Sequence, residues 1–134
     1  RAVEYAKKKN IENVKFLGQL SGSDLVEAFK SSGIYILPTT HGEGMPTSVL
    51  EAMAFGLPLI TRPVGGLVDF FENGKMGFIT DSIDPSDYAQ KIIGLFNDKK
   101  RMVAIGKHNH LYAVEHFMAS KVSSNLESII MEVL

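Results

Sequence analysis

The run Ile34-Tyr35-Ile36-Leu37 is apolar at all four positions, and Pro38 closes it. A small-residue loop then leads into Thr47-Ser48-Val49-Leu50-Glu51-Ala52-Met53-Ala54, a block rich in helix formers that Gly56-Leu57-Pro58 ends. A short, wholly apolar run between turn residues reads as a parallel strand covered on both faces. Gly followed closely by Pro reads as a helix stop. Strand, glycine-bearing loop and helix therefore follow one another over 34–56. The same alternation recurs with a strand over 57–61, a tight turn at Val64-Gly65-Gly66-Leu67, turn chemistry at Glu72-Asn73-Gly74-Lys75-Met76-Gly77 and a strand over 78–80. Short apolar strands alternating with helices predict an α/β fold, a Rossmann-like three-layer domain with a short parallel sheet and right-handed crossovers.

The flanking segments fit this layout. A helix over 2–9 ends in Lys7-Lys8-Lys9, a solvated end where cations suit the helix dipole. A strand over 14–17 and a loop over 18–22 follow. Ser23 or Asp24 caps a helix reaching Ser31 or Ser32, with Leu25, Val26, Ala28 and Phe29 as its apolar stripe and Gly33 at its end. Asp84-Pro85-Ser86-Asp87 opens a helix to Asn97 that turns Tyr88, Ile92, Ile93, Leu95 and Phe96 inward. Another starts at Asp98 and carries Met102, Val103 and Ile105. The last, over 119–133, repeats Val122, Leu126, Ile129, Ile130 and Val133 at spacings of three and four, the pattern of a buried stripe. His108, His110 and His116 read as surface residues without metal-ligand partners.

Composition narrows the function classes. The 134 residues suffice for one domain with a real core. A net charge of −1 gives no electrostatic pull toward nucleic acid or an acidic membrane. The absence of cysteine excludes disulfides and thiolate metal sites and suits a reducing cytoplasm. No apolar run approaches the roughly 20 residues of a membrane span, and no signal-peptide pattern opens the chain. The first residue is Arg, inside a helical pattern, which reads as a fragment cut from a larger protein. No G-x-G-x-x-G opens a strand–helix unit, and no G-x-x-x-x-G-K-[ST] is present, which argues against nicotinamide enzymes and P-loop NTPases. Asp81-Ser82-Ile83-Asp84 has the wrong spacing for a divalent-metal site and reads as loop plus N-cap.

The stretch Gly42-Glu43-Gly44-Met45-Pro46-Thr47-Ser48 carries the chemistry. The first turn of a helix leaves N–H groups unpaired and holds about half a positive charge, so a phosphate fits against Pro46, Thr47 and Ser48 without a basic side chain. Gly42 and Gly44 let backbone approach a ligand closely. Glu51 lies four residues past Thr47, about 6 Å along the axis. An ionised carboxylate accepts two neighbouring hydroxyls at once. Ribose at Glu51, diphosphate at the helix end and sugar at Glu43 together describe a nucleotide-sugar. A structural alternative stands beside this reading. Ser48-Val49-Leu50-Glu51 fits the S-x-x-E capping box, and Glu43 fits a solvated loop acid. The turn at Gly65-Gly66 either faces the ligand crevice or is a plain turn, Arg62 reads as a surface arginine within reach of a phosphate, and His41 as a solvated loop residue.

Glu43-x7-Glu51, within Glu-Gly-Met-Pro-Thr-Ser-Val-Leu-Glu-Ala-Met-Ala-Phe-Gly-Leu-Pro, resembles the signature of retaining glycosyltransferases of the GT-B fold, the group 1 or GT4-type family. The resemblance extends through Arg62-Pro63-Val64-Gly65-Gly66-Leu67-Val68-Asp69 and Glu72-Asn73-Gly74-Lys75-Met76-Gly77-Phe78, and back to Val14-Lys15-Phe16-Leu17-Gly18. It implies that residues 1–134 are the C-terminal donor-binding domain, truncated at its N-terminus and lacking the acceptor domain. It implies Glu43 as the catalytic contact to the donor sugar, Gly44, Met45, Pro46, Thr47 and Ser48 along sugar and phosphate, and Glu51 on the ribose. Gly18 and Gln19 become base-side candidates, with a plain βα turn as their alternative. The implied partners are a nucleotide-sugar donor and, through the missing domain, a glycan or lipid acceptor, with no nucleic acid, no metal and no cofactor beyond the donor substrate. The implied setting is polysaccharide, lipopolysaccharide or glycolipid synthesis in the cytoplasm, and peripheral association of the full-length protein with the inner membrane face stays open. Family members also grip the diphosphate with an Arg and a Lys that this chain lacks, so the fragment alone is expected to fold, to bind nucleotide weakly and to catalyse nothing. A same-fold epimerase or sugar phosphorylase, or a non-catalytic nucleotide-sugar-binding module, are the alternatives.

Overall fold

The structure, a computed structural model, describes residues 2–42 and 44–133, with only the backbone of Val133. The chain divides into two compact units, Arg1–Lys30 and Ser31–Leu134.

The first unit holds α1 (Ala2–Lys8) and α2 (Gly22–Lys30). Asn10 ends α1 at φ 52°, a left-handed conformation that asparagine tolerates better than most side chains. Ile11 N–H then returns to Ala6 O at 2.9 Å, satisfying a carbonyl of the last turn. The strand expected over 14–17 is not formed. A helix satisfies its own backbone, whereas a strand needs a neighbour, and none pairs with this segment among the described residues. Val14 and Phe16 instead line an open apolar groove with Tyr5, Ala6 and Ile11.

The second unit is built on a parallel sheet in the order β1 (Tyr35–Leu37), β2 (Leu59–Thr61), β3 (Gly77–Ile79). Helices α3 (Thr47–Ala54) and α4 (Leu67–Phe70) connect the strands, and α5 (Pro85–Asn97), α6 (Lys99–His116) and α7 (Ala119–Val133) follow. Central β2 is buried at all three positions, and Ile60 packs with Tyr88, Leu95 and Ile105. Ile36 lines a groove with Tyr88, Ala89 and Ile92 of α5, while its neighbour Tyr35 hydrogen-bonds Ser48 of α3. Successive strand residues point to opposite faces, so α5 and α3 cover opposite sides of the sheet. The layers are as expected; the cover of β1 is not. β1 lies at the edge among the described strands, and Ile36 is 39% exposed.

Helix α5 begins where the sequence says it must, because Asp84 accepts from Ser86 N–H at 2.9 Å and Pro85 occupies the first turn. Asp98 caps α6 through Arg101 N–H. The inward assignments are partly wrong: Ile93, Phe96 and Val103 are exposed, at the margin of an apolar stripe wider than the contact it makes. Val122, Leu126, Ile129 and Ile130 of α7 are also exposed, since periodicity marks a helix's apolar face without supplying the surface that covers it. The stripe's last member, the Val133 side chain, lies outside the described residues.

Helix α6 closes the amino-terminal end of the sheet. Asn109, fully buried, donates from Nδ2 to Leu57 O and Met76 O, both at 2.9 Å, just ahead of β2 and β3. Gly106 lies so close to Gly56 that a Cβ there would sit 2.4 Å from its carbonyl oxygen. Asn109→Ala removes the donor to Leu57 O and one of the two donors to Met76 O, which keeps Leu59 N–H at 3.1 Å, and it opens a cavity, so it is expected to cost about 2–4 kcal/mol, measured by chemical denaturation of the full-length protein. Of the three histidines expected at the surface, His110 and His116 are exposed and His108 is not fully so. His108 is half-buried with Nε2 3.9 Å from Glu72, His110 Nδ1 meets Ala54 O at 2.6 Å, and His116 packs on Tyr112 at 4.2 Å between ring centroids. With α6 at the amino-terminal end, the carboxyl ends of the strands are left to loops.

Candidate functional site

Those loops are 38–46 after β1 and 62–66 after β2, the place where open α/β sheets bind ligands. Thr61 Oγ1 donates to Leu37 O at 3.2 Å, tying the carboxyl ends of β1 and β2 together. Pro46, buried, is the N-cap of α3 and gives no side-chain cap. The buried face of α3 is Val49, Ala52 and Met53, which turns Thr47 and Glu51, four apart, to the exposed side. The N–H groups of Thr47 and Ser48 meet no acceptor among the described residues, whereas Val49 N–H is used by Pro46 O.

The capping-box alternative fails. Proline fixes φ and brings no N–H, so the helix starts immediately after Pro46 and Ser48 becomes its second residue rather than its cap. Ser48 Oγ is instead the acceptor of Tyr35 Oη–H at 2.7 Å. Glu51 is exposed, and its carboxylate makes no hydrogen bond or ion pair among the described residues. It is a carboxylate held beside a helix N-terminus with nothing structural to do.

The loop is braced from the second connection. Gly66 N–H donates to Gly44 O at 2.7 Å. The Met45 methyl lies over Gly66, where a Cβ would be only 2.5 Å from it. The turn at Gly65-Gly66 thus holds the loop at Gly44 and Met45, a contact between segments 22 residues apart that no local pattern announces. Arg62 is half-buried rather than on the open surface, and Nη2 donates to Asp81 O at 3.2 Å across the same end of the sheet. His41 is exposed, its N–H on Thr39 Oγ1. Glu43 lies outside the described residues. Gly18, at φ 69°, and Gln19 are exposed in the first unit. No group of three His, Cys, Asp or Glu that could hold a metal occurs among the described residues.

Residues 1–110 match the family profile of the group 1 glycosyl transferases. This chain belongs to that family. The chain is similar to the capsular polysaccharide biosynthesis glycosyltransferase CapM of Staphylococcus aureus, 35% identical over 100 residues, 75% of this chain and 26% of CapM. Among solved structures, HepE of Anabaena in complex with UDP-glucose superposes with a TM-score of 0.84 at 21% identity, over 98% of this chain and 36% of HepE. The C-terminal domain of the group 1 protein LpcC of Francisella tularensis gives a TM-score of 0.75 at 18% identity, over 87% of this chain and 60% of that domain. The group 1 chain described here spans about a quarter of CapM, and it has the fold of the C-terminal GT-B domain. No helix among its described residues is long and apolar enough to cross a membrane.

Proposed function

We propose that the full-length protein transfers a hexosyl group from a nucleotide-diphospho-sugar to an acceptor hydroxyl, with retention of anomeric configuration and without a metal, in polysaccharide, lipopolysaccharide or glycolipid synthesis. The observation that carries this is the free N-terminus of α3, with Glu51 unpartnered beside it, at the carboxyl ends of the parallel strands of a group 1 chain. As the bond between sugar and diphosphate breaks, negative charge grows on the leaving phosphate. The Thr47 and Ser48 N–H groups and the helix dipole are oriented beforehand to receive it, which lowers the barrier because no reorganisation is needed. Glu51 takes the ribose hydroxyls, and Gly44, Met45 and Pro46 line sugar and phosphate. By family resemblance Glu43 orients the donor sugar and steadies positive charge at its anomeric carbon, and Gly18 and Gln19 border the base. The 134 residues are, on this reading, the donor-binding domain alone.

The test incubates the full-length protein with UDP-, GDP- and ADP-glucose, with and without a panel of glycan and lipid acceptors. Nucleoside diphosphate release that depends on acceptor, survives EDTA, and gives a product whose anomeric proton coupling matches the donor's is expected. Turnover of the donor without any acceptor points to an epimerase and contradicts the transfer.

A further inference from the structure

We infer that Tyr35 is a positioning residue for the phosphate end of this site, acting through Ser48; the inference rests on the nucleotide-sugar reading above. β1 is Tyr-Ile-Leu, and the Tyr35 hydroxyl is its one polar side-chain group. That hydroxyl donates to Ser48 Oγ at 2.7 Å, the usual length of a good O–H···O bond. A serine hydroxyl has one proton to give and two lone pairs to fill. Tyr35 fills a lone pair, so the Ser48 proton remains to be donated. The carbonyl one helical turn back, Gly44 O, already accepts from Gly66 N–H, and Ser48 donates to no group among the described residues. The proton is therefore available, next in sequence to the Thr47 and Ser48 N–H groups, which also lack acceptors among the described residues.

Two consequences follow for an anion seated there. The bond from Tyr35 holds Ser48 in one rotamer, so its donor is in place before the ligand arrives. A hydroxyl that accepts one hydrogen bond also donates a stronger one, because chained hydrogen bonds polarise each other. The diphosphate would then be held by two backbone N–H groups and one hydroxyl, with the tyrosine supplying orientation from the strand beneath. Without the phenol oxygen the serine turns freely, and the loss falls on the phosphate alone.

The experiment measures binding to the full-length protein by calorimetry, using whichever of UDP, GDP and ADP binds tightest and, separately, its bare nucleoside. Tyr35→Phe, Ser48→Ala, the double variant and Glu51→Ala are compared, each checked for an unchanged thermal melt. Tyr35→Phe is expected to weaken diphosphate binding about three- to tenfold, the span of one net hydrogen bond. It should leave nucleoside binding within twofold and add nothing once Ser48 is alanine. An equal loss on the nucleoside, a loss that persists in the Ser48→Ala background, or no loss at all overturns the inference. Glu51→Ala separates the two levels. If Glu51→Ala weakens both ligands and Tyr35→Phe neither, the inference fails and the site stands; if Glu51→Ala changes nothing, the site itself fails.

Discussion

Glu51→Ala in the full-length protein is expected to lower kcat/KM for the sugar nucleotide by about 10²–10⁴-fold while leaving the fold as stable as before. The size comes from removing two hydrogen bonds between a carboxylate and ribose hydroxyls, each charge-assisted and worth roughly 1.5–3 kcal/mol. The stability half follows from the surroundings. Glu51 is exposed, on the face opposite Val49, Ala52 and Met53, and has no partner among the described residues. Alanine there loses no contact and is a slightly better helix former. A capping glutamate would behave the other way, costing about 1 kcal/mol of stability when removed. Kinetics and denaturation on one variant therefore separate the two roles, and Glu51→Gln, which keeps shape and one acceptor, should fall between wild type and alanine.

Gly77→Ala is the substitution expected to damage the fold most. Gly77 opens β3 opposite Leu59, at φ 130°, a region that side-chain-bearing residues rarely adopt. A Cβ there would lie 2.0 Å from Leu59 O and 2.6 Å from Leu59 N. Both atoms are backbone of the buried central strand, so neither can swing away. Backbone strain and steric overlap together put the cost at about 3–5 kcal/mol, a large share of the roughly 5–15 kcal/mol that holds a domain folded. The expected result is a protein recovered mainly as aggregate, or one whose denaturation midpoint falls sharply. Gly66→Ala is a useful contrast. Its Cβ would overlap the end of the Met45 side chain, which can move, and would touch Gly44 O at an ordinary 3.6 Å, and its φ of −67° suits any residue.

Local chemistry decided what the sequence could reveal. The start of α5 was readable because Asp84, Pro85 and the Ser86 N–H form a complete unit within three residues. The bounds of α7 were readable from period alone, but its environment was not, since Val122 and Leu126 look the same in a buried and an exposed stripe. The strand over 14–17 failed because its pattern is a demand for a partner, not a supply of one. The capping box failed by position: Pro46 starts the helix two residues before Ser48, and the S-x-x-E spacing is blind to that shift. The parts of the site that sequence missed are all long-range. Gly66 braces Gly44 across 22 residues, and Tyr35 reaches Ser48 across 13. The only clue to the second was a phenol inside a strand that needs none.

The central claim is that the N-terminus of α3 receives the diphosphate and Glu51 the ribose. The most direct measurement is a crystal structure of the full-length protein with whichever of UDP-, GDP- and ADP-glucose it binds tightest. The expected density places the diphosphate against the N–H groups of Thr47 and Ser48, with both ribose hydroxyls on the Glu51 carboxylate. A nucleotide seated away from the carboxyl ends of the strands, or a Glu51 side chain folded back onto its own helix with the ribose elsewhere, would contradict it.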